Sequence, residues 1–204
     1  MEKPLLLIGV HRDELAFGEH VAALLEGRCD ILRVEQGLDN DNPTPDEQFH
    51  YRIRHAEMYH QVLQNIGRRT GPVIDIHSGL NARGRCADIY CHDERFLACA
   101  EAAVAPQTER AGAFKDVRLV QIVAHDAPER ELSASVALRP VVWTYIPHVV
   151  WQNPHFLYIG IEVFLASRGA GTPQDHAYGR DLVLLSADCA SRSSRDAARV
   201  KTGV

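Results

Sequence analysis

The stretch LLLIGVHRDELAFGEH, residues 5–20, places an apolar run directly against a histidine and two acidic residues. Its first four residues are all apolar, a pattern typical of a strand that is covered on both faces in the parallel sheet of an α/β protein. Gly9 then frees the backbone to turn. Because such sheets bind ligands outside the carboxyl ends of their strands, we expect His11, Asp13 and Glu14 to lie at a functional edge.

The spacing of His11 and Glu14 indicates a metal site. Residues three apart lie on the same side of a helical turn, so the two side chains can converge on one point. An imidazole and a carboxylate that meet there can share a metal ion, most plausibly zinc. The segment 12–27 also fits an ordinary amphipathic helix whose polar first turn caps its N-terminus, and both interpretations stand at this point.

Composition and charge narrow the class of protein. The chain has 204 residues, of which 46% are hydrophobic and 24% charged, which predicts one soluble globular domain. The net charge is -5 and the pI is about 6.1, and no basic block interleaves with aromatic residues, so we expect no nucleic-acid partner. Without an apolar run of roughly 18 residues or a signal arrangement, the sequence predicts a cytoplasmic location and no membrane partner.

The five cysteines are odd in number, and none forms a C-x-x-C pair. Reduced thiols are the simplest expectation for this pattern. A structural zinc site is an alternative, although zinc ligands usually come as matched pairs two to four residues apart. Its four ligands would be Cys86, Cys91, His92 and Cys99.

Apolar runs alternate with helical segments along the chain, which predicts a βαβ architecture. The loop at 37–48 is rich in Gly, Asn, Asp and Pro and leads into a helix at 49–67. The strand at 71–79 again ends in a histidine, His77. The other predicted strands are 29–36, 87–91, 117–124 and 157–165, the other helices are 93–105 and 175–191, and residues 126–156 have no clear assignment.

Glu162 lies inside the apolar strand YIGIEVFL, where an ionised carboxylate is costly unless it has a partner or faces an open site. One interpretation is a structural salt bridge to an arginine. The other is a general base that takes a proton from a metal-bound water and returns it to a leaving nitrogen.

Three motifs occur in a consistent order: GVHRDE at 9–14, IDIHSG at 74–79 and IGIEV at 159–163. Together they resemble the zinc carboxypeptidase superfamily, and within it the aspartoacylase and succinylglutamate desuccinylase branch. The helix that precedes the second motif also resembles one in those enzymes. The resemblance implies an α/β three-layer sandwich with a mixed, mostly parallel central sheet flanked by helices.

The resemblance implies that His11, Glu14 and His77 bind one zinc per chain and that Glu162 is the catalytic acid/base. Three protein ligands leave a fourth position for water, as in a catalytic zinc site. Asp75, two residues before His77, points to the same side of the strand and is a candidate to orient that ligand. The histidines five residues apart at positions 50, 55 and 60 rotate around their helix, and we expect no effect of them on zinc binding.

The sequence departs from the family in two places. The loop that usually carries an Asn-Arg pair for a substrate carboxylate has no arginine here, so the candidates are Arg52, Arg54, Arg83 and Arg85. Residues 1–204 match only the catalytic domain, without the C-terminal β-rich region that narrows the entrance. An open cleft, a larger substrate such as a peptide, or help from a second subunit of a homo-oligomer is therefore expected. Tyr145 and Tyr158 are either hydroxyl donors to the transition state or core and rim aromatics.

These features predict a zinc-dependent hydrolase that cleaves the amide bond of an N-acyl amino acid or a small peptide. Two alternatives remain at this point. One is an enzyme similar to N-formylglutamate amidohydrolase, and the other is a non-catalytic domain that binds zinc or senses a ligand. A general base at Glu162 favours an enzyme, because a pure binding site does not need one.

Overall fold

Strands and helices alternate along the chain in the computed structural model, which describes residues 2–39, 44–81, 83, 85–109, 116–124, 139–167 and 169–202. The strands are β1 (Leu5–Ile8), β2 (Asp30–Arg33), β3 (Val73–Leu80), β4 (Cys86–Cys91), β5 (Val117–Ile122), β6 (Val141–Val142) and β7 (Tyr158–Leu165). The helices are α1 (Leu15–Ala23), α2 (Gln48–Ile66), α3 (Glu94–Glu109), α4 (His148–Trp151) and α5 (Pro173–Thr202), and a 3-10 turn (Arg12–Glu14) precedes α1.

The described strands form one sheet in the order β2-β1-β3-β7-β4-β5-β6. Strands β2, β1, β3 and β7 are parallel, β4 runs antiparallel to β7, and β5 and β6 run parallel to β4. Helices α1, α3 and α5 cover one face of this sheet, and α2 and α4 pack on the other. The predicted α/β sandwich with a mixed, mostly parallel sheet is therefore confirmed.

Gly9 makes the turn at the end of β1 possible. Its φ is +79°, a conformation that residues with a side chain rarely adopt. A Cβ atom at this position would also lie 2.6 Å from the carbonyl oxygen of Val34. The turn leads directly into the 3-10 turn and so fixes the direction in which His11 and Glu14 leave the sheet.

The two faces of the sheet differ in chemistry. On the apolar face, which we define by Ile74, Ile76, Ile161 and Val163, the side chains are buried against α1, α3 and α5. On the opposite face, under α2, the alternate positions of β3, β7 and β4 include several ionisable residues. We call this the site face and define it by Asp75, His77, Asp88 and Glu162, which follow from the strand alternation and the register.

The prediction of reduced thiols is wrong for two of the five cysteines. Cys99 in α3 and Cys189 in α5 form a disulfide with a Cα–Cα distance of 5.6 Å, within the usual range for such a bond. The two residues are 90 positions apart, so their spacing gave no signal. The alternative zinc site loses Cys99 to this bond. The predicted cytoplasmic location stays a prediction.

Several boundaries differ from the predicted ones. The second strand covers only Asp30–Arg33, at the edge of the sheet, and the segment 12–27 divides into the 3-10 turn and α1. Of the unassigned segment 126–156, residues 126–138 lie outside the described residues, and the rest contains β6 and α4. Among the described helices, none combines the length and apolar character that crossing a membrane requires.

Candidate active site

His11, Glu14 and His77 meet at one edge of the sheet. Strands β1 and β3 are adjacent and parallel, so the ends of both strands bring their histidines to the same edge. Nδ1 of His11 lies 3.0 Å from one oxygen of Glu14, and Nδ1 of His77 lies 2.8 Å from the other. Ligand atoms of the three residues all lie within 4.8 Å of one another. Asp13, the other acidic residue of the motif, is exposed.

The charges of this cluster suit a divalent cation. Burial raises the pKa of Glu14, but the nearby charge of His77 and hydrogen bonds from both histidines outweigh it and lower the pKa to about 2. Burial lowers the pKa of His77, but the carboxylates of Asp75 and Glu14 outweigh it and raise the pKa well above its usual value. A buried carboxylate between two imidazoles fits a zinc ion, which binds His and Glu ligands. Glu14 thus contacts the histidines and makes no capping bond to α1.

Asp75 holds His77 from behind. This carboxylate is fully buried, and its Oδ1 lies 3.1 Å from Nε2 of His77. Its Oδ2 accepts hydrogen bonds from the hydroxyls of Tyr59 and Tyr158, each at 2.7 Å. The contact at Nε2 leaves Nδ1 of His77 directed at Glu14, as a metal ligand requires. Tyr158 is therefore a core aromatic, one of the two roles expected for it.

Glu162 lies directly beside His77 in the register of β3 and β7. Burial raises the pKa of Glu162 to about 7, the charge of His77 opposes this rise, and the charge of Glu14 adds to it. Within the described ranges no arginine or lysine forms an ion pair with Glu162, so the salt-bridge interpretation finds no partner there. Gly79 leaves room for this carboxylate, because a Cβ there would lie 2.7 Å from Oε1 of Glu162.

His55 of α2 was missed as a site residue. Its Nε2 lies 3.3 Å from Nε2 of His11 and 3.1 Å from the hydroxyl of Tyr51. Burial, with the charges of His11 and His77, lowers the pKa of His55 to about 4, so it is neutral near pH 7. None of the three helix histidines was expected to affect zinc binding. The structure brings His55 against His11 and leaves the other two exposed, and an effect of His55 on zinc binding stays a prediction.

A signal for His55 was present in the sequence. Tyr51, His55 and Tyr59 are four residues apart, so they form one stripe along α2. Each member reaches a site residue or its supporting carboxylate. The spacing of five between the histidines does not produce such a stripe, whereas the spacing of four does.

A pocket of about 250 Å³ opens beside the cluster and is lined by His11, His55, His77 and Glu162. Tyr145 lies at its rim, as expected for a rim aromatic, and Arg52 stacks on Tyr145 with Cζ 5.0 Å from the ring centre. None of the four candidate arginines lines the pocket, but Arg52 contacts the rim residue Tyr145.

The other three arginines lie elsewhere. Arg54 is exposed and does not line the pocket. Arg83 and Arg85 line a separate pocket, and Arg85 is held by α5 through a 2.7 Å hydrogen bond to the carbonyl of Gln174 and by a contact with Asp175. That one of the four arginines binds a substrate carboxylate stays a prediction.

Comparisons with known proteins give likenesses of fold. No family model matches the chain, and no curated protein does. Its structure is similar to murine aminoacylase 3, with 11% identity over 93% of this chain and 63% of that one and a TM-score of 0.46. A single-site variant of the same enzyme gives 10% identity over 93% and 62% of the two chains and a TM-score of 0.47.

A second likeness is to the catalytic domain of CwlV, an N-acetylmuramoyl-L-alanine amidase from Bacillus (Paenibacillus) polymyxa var. colistinus. It has 11% identity over 96% of this chain and 99% of that one, with a TM-score of 0.43. The chain thus spans less than two thirds of the length of the aminoacylase and nearly all of the amidase domain. At such low identities, a function for this chain has to be inferred from its own side chains.

Proposed function

We propose that this protein is a zinc-dependent hydrolase that cleaves the amide bond of an N-acyl amino acid or a small peptide. The observation that carries the proposal is the position of Glu162. This buried carboxylate lines the same pocket as His11 and His77, and its pKa of about 7 is matched to proton transfer near neutral pH. A site that only binds a metal has no need of such a group.

The cluster of His11, Glu14 and His77 would hold the metal, and zinc bound there would polarise the scissile carbonyl and acidify a water molecule. Glu162 takes a proton from the attacking water while the water oxygen forms a bond to the carbonyl carbon. The carbon–nitrogen bond then breaks, and Glu162 returns the proton to the leaving nitrogen. The products are a carboxylic acid and an amine, and Glu162 ends in its starting state.

Arg52 is the candidate for holding a substrate carboxylate. Its guanidinium lies over the ring of Tyr145 at the pocket rim. Stacking on an aromatic ring fixes the plane of a guanidinium and leaves its N–H edges available, which suits two-pronged binding of a carboxylate. This stacking supports a substrate pose with the carboxylate of an N-acyl amino acid at the entrance and the amide bond toward Glu162.

The test measures zinc and hydrolysis together in wild-type protein, His77→Ala and the matched control His60→Ala. We expect about one zinc per wild-type chain, the same in His60→Ala, which changes an exposed histidine of α2, and little in His77→Ala. Equal zinc in all three proteins would refute the assigned ligands.

Hydrolysis is measured on N-acyl amino acids, formylglutamate and short peptides. Release of amine by the zinc-loaded wild type, and none by His77→Ala, is the expected result. Bound zinc without hydrolysis of any member would indicate the binding domain instead. Activity confined to formylglutamate would indicate the N-formylglutamate amidohydrolase alternative.

A further inference from the structure

The wall of the active-site pocket that faces away from the metal cluster is apolar. It is formed at the ends of β5 and β6 by Ile122, Val142, Trp143 and Ile146. Ile122 is buried, whereas Trp143 remains 52% exposed beside the opening. The hydroxyl of Thr144, which also lines this wall, accepts a hydrogen bond from the backbone N–H of Ile146 at 3.1 Å. A ligand in this pocket therefore meets mainly hydrocarbon and aromatic surface on this side.

The floor of the pocket has the same character. Tyr90 donates its hydroxyl to Asp88 at 3.1 Å, and Arg118 already binds Asp88 through two hydrogen bonds of 2.7 and 2.6 Å. The Tyr90 hydroxyl is therefore already hydrogen-bonded beneath the pocket, so a ligand would contact the aromatic ring of Tyr90.

Gly160 widens this floor. It lies between Tyr158 and Glu162 in β7, pairs with Tyr90 across the sheet, and lines the pocket. A Cβ at this position would approach the Tyr90 side chain to 3.4 Å. A glycine therefore opens space for a substrate group next to Glu162, where a larger residue would fill it.

We propose that this wall and floor select substrates that carry a neutral apolar or aromatic group next to the scissile amide. The inference deepens the proposed function and rests on it. A charged group moved from water onto this wall would lose hydration and gain no ionic partner from it. An apolar group would instead gain from leaving water. The preferred class is N-acyl derivatives of apolar or aromatic amino acids, rather than derivatives of aspartate or glutamate.

The size and entrance of the pocket agree with this class. A volume of about 250 Å³ lies below the roughly 300–1,000 Å³ of pockets that hold drug-sized ligands, so the pocket suits one compact group. Arg52 at the rim is on the outer side, where the substrate carboxylate stays in contact with water. The apolar group passes Trp143 at the opening and points inward to the buried Ile122, and the amide lies between the two ends, beside Glu162.

The test compares N-acetyl-L-phenylalanine with N-acetyl-L-aspartate on zinc-loaded protein. Discrimination by an apolar pocket is commonly 10- to 200-fold, so we expect kcat/KM to be at least about tenfold higher for the phenylalanine derivative. Val142→Arg, at the short strand β6, places a cation in the wall and should reverse that preference. Trp143→Ala should lower kcat/KM for the phenylalanine derivative more than for the aspartate derivative. A wild-type preference for aspartate would overturn the inference.

A binding measurement separates this inference from the proposed function. Trp143 lines the pocket and the chain's other tryptophan, Trp151, is buried, so quenching of Trp143 fluorescence reports occupancy. Tight binding of the phenylalanine derivative without hydrolysis would support the apolar selectivity and contradict the proposed hydrolase function. Hydrolysis together with stronger binding of the aspartate derivative would support the hydrolase function and contradict the apolar selectivity. Trp143→Phe supplies the control for the fluorescence signal.

Discussion

Ile161 and Glu162 are neighbours in β7, yet they face opposite sides of the sheet and meet opposite environments. Ile161 is fully buried on the apolar face, where α1, α3 and α5 pack against it. Glu162 faces the site, where burial raises its pKa to about 7. The same removal from water stabilises the first side chain and penalises the charged form of the second. Because side chains alternate along a strand, a residue that stabilises the core and a residue that faces the site can be direct neighbours in sequence.

The site face also divides its carboxylates into two kinds. Asp75 accepts two tyrosine hydroxyls and contacts His77, and Arg118 binds Asp88 with both of its arms. Burial raises the pKa of Asp75, but the charge of His77 and the hydrogen bonds from His77 and the two tyrosines outweigh it and lower that pKa, while Asp88 is held in an ion pair. Glu162 has no ion-pair partner among the described residues. Unlike Asp75 and Asp88, it is therefore available to accept and release a proton. Glu162 is therefore the buried carboxylate to which the proposed function assigns the proton transfer.

Replacing Glu162 by glutamine should produce the largest change in activity. The Glu162→Gln side chain keeps its shape but cannot accept a proton from water, and general acid/base groups contribute about 100- to 10,000-fold to rate. We expect turnover to fall by at least the lower figure, with zinc content unchanged and the melting temperature near pH 8 equal or higher. A variant with a lower melting temperature and near-normal turnover would show that Glu162, like Ile161, has a structural role.

Truncating Ile161, one residue away, should have the reverse effect. Ile161→Ala leaves a cavity in the packed apolar face, and such changes cost about 2–5 kcal/mol of unfolding free energy. Turnover of the remaining folded protein should stay within a few-fold of the wild type. Urea unfolding and kinetics at low temperature measure the two quantities separately. A large loss of turnover at full folding would show that the two faces are coupled.

His55→Gln should weaken zinc binding, because His55 contacts His11 from the side away from Glu14. Residues that orient a metal ligand typically contribute 10- to 100-fold to metal affinity. We expect that range of loss in a competition titration with a chelator. His60→Gln, on the exposed side of the same helix, is the matched control and should bind zinc like the wild type. Equal affinities in both variants would mean that α2 does not support the site.

Local patterns in the sequence predicted much of the fold and the metal cluster. The apolar runs gave most strands, and the strand-end histidines gave His11 and His77, because ends of adjacent parallel strands must meet at one edge. The position of Glu162 inside an apolar run also marked it, since a carboxylate there is costly without a reason. These features depend on residues close together in the chain, which is why the sequence alone could reveal them.

The parts that were missed depend on contacts between distant segments. The Cys99–Cys189 bond joins two helices across 90 positions, and the choice of Arg52 over Arg85 depends on what each stacks against. No spacing rule specifies which helix face meets which strand. His55 is intermediate, because its stripe with neighbouring tyrosines is visible in the sequence but its contact with His11 is not.

The smallest predicted effect is a pH dependence of stability that belongs to Glu162 alone. Burial raises the pKa of Glu162 from its usual 4.5 to about 7 in the folded, metal-free protein, so the folded state binds this proton more tightly than the unfolded state does. The stabilisation is then complete below about pH 4.5 and is lost as the pH rises through 7.

Subtracting the unfolding free energy of Glu162→Gln from that of the wild type removes contributions of the histidines and of Glu14, which both proteins share. From pH 5 to pH 8, with a chelator present, this difference should fall by on the order of 1–2 kcal/mol. If this difference in unfolding free energy does not change with pH, Glu162 titrates like an exposed carboxylate. The contrast between the environments of Ile161 and Glu162 would then not extend to proton binding.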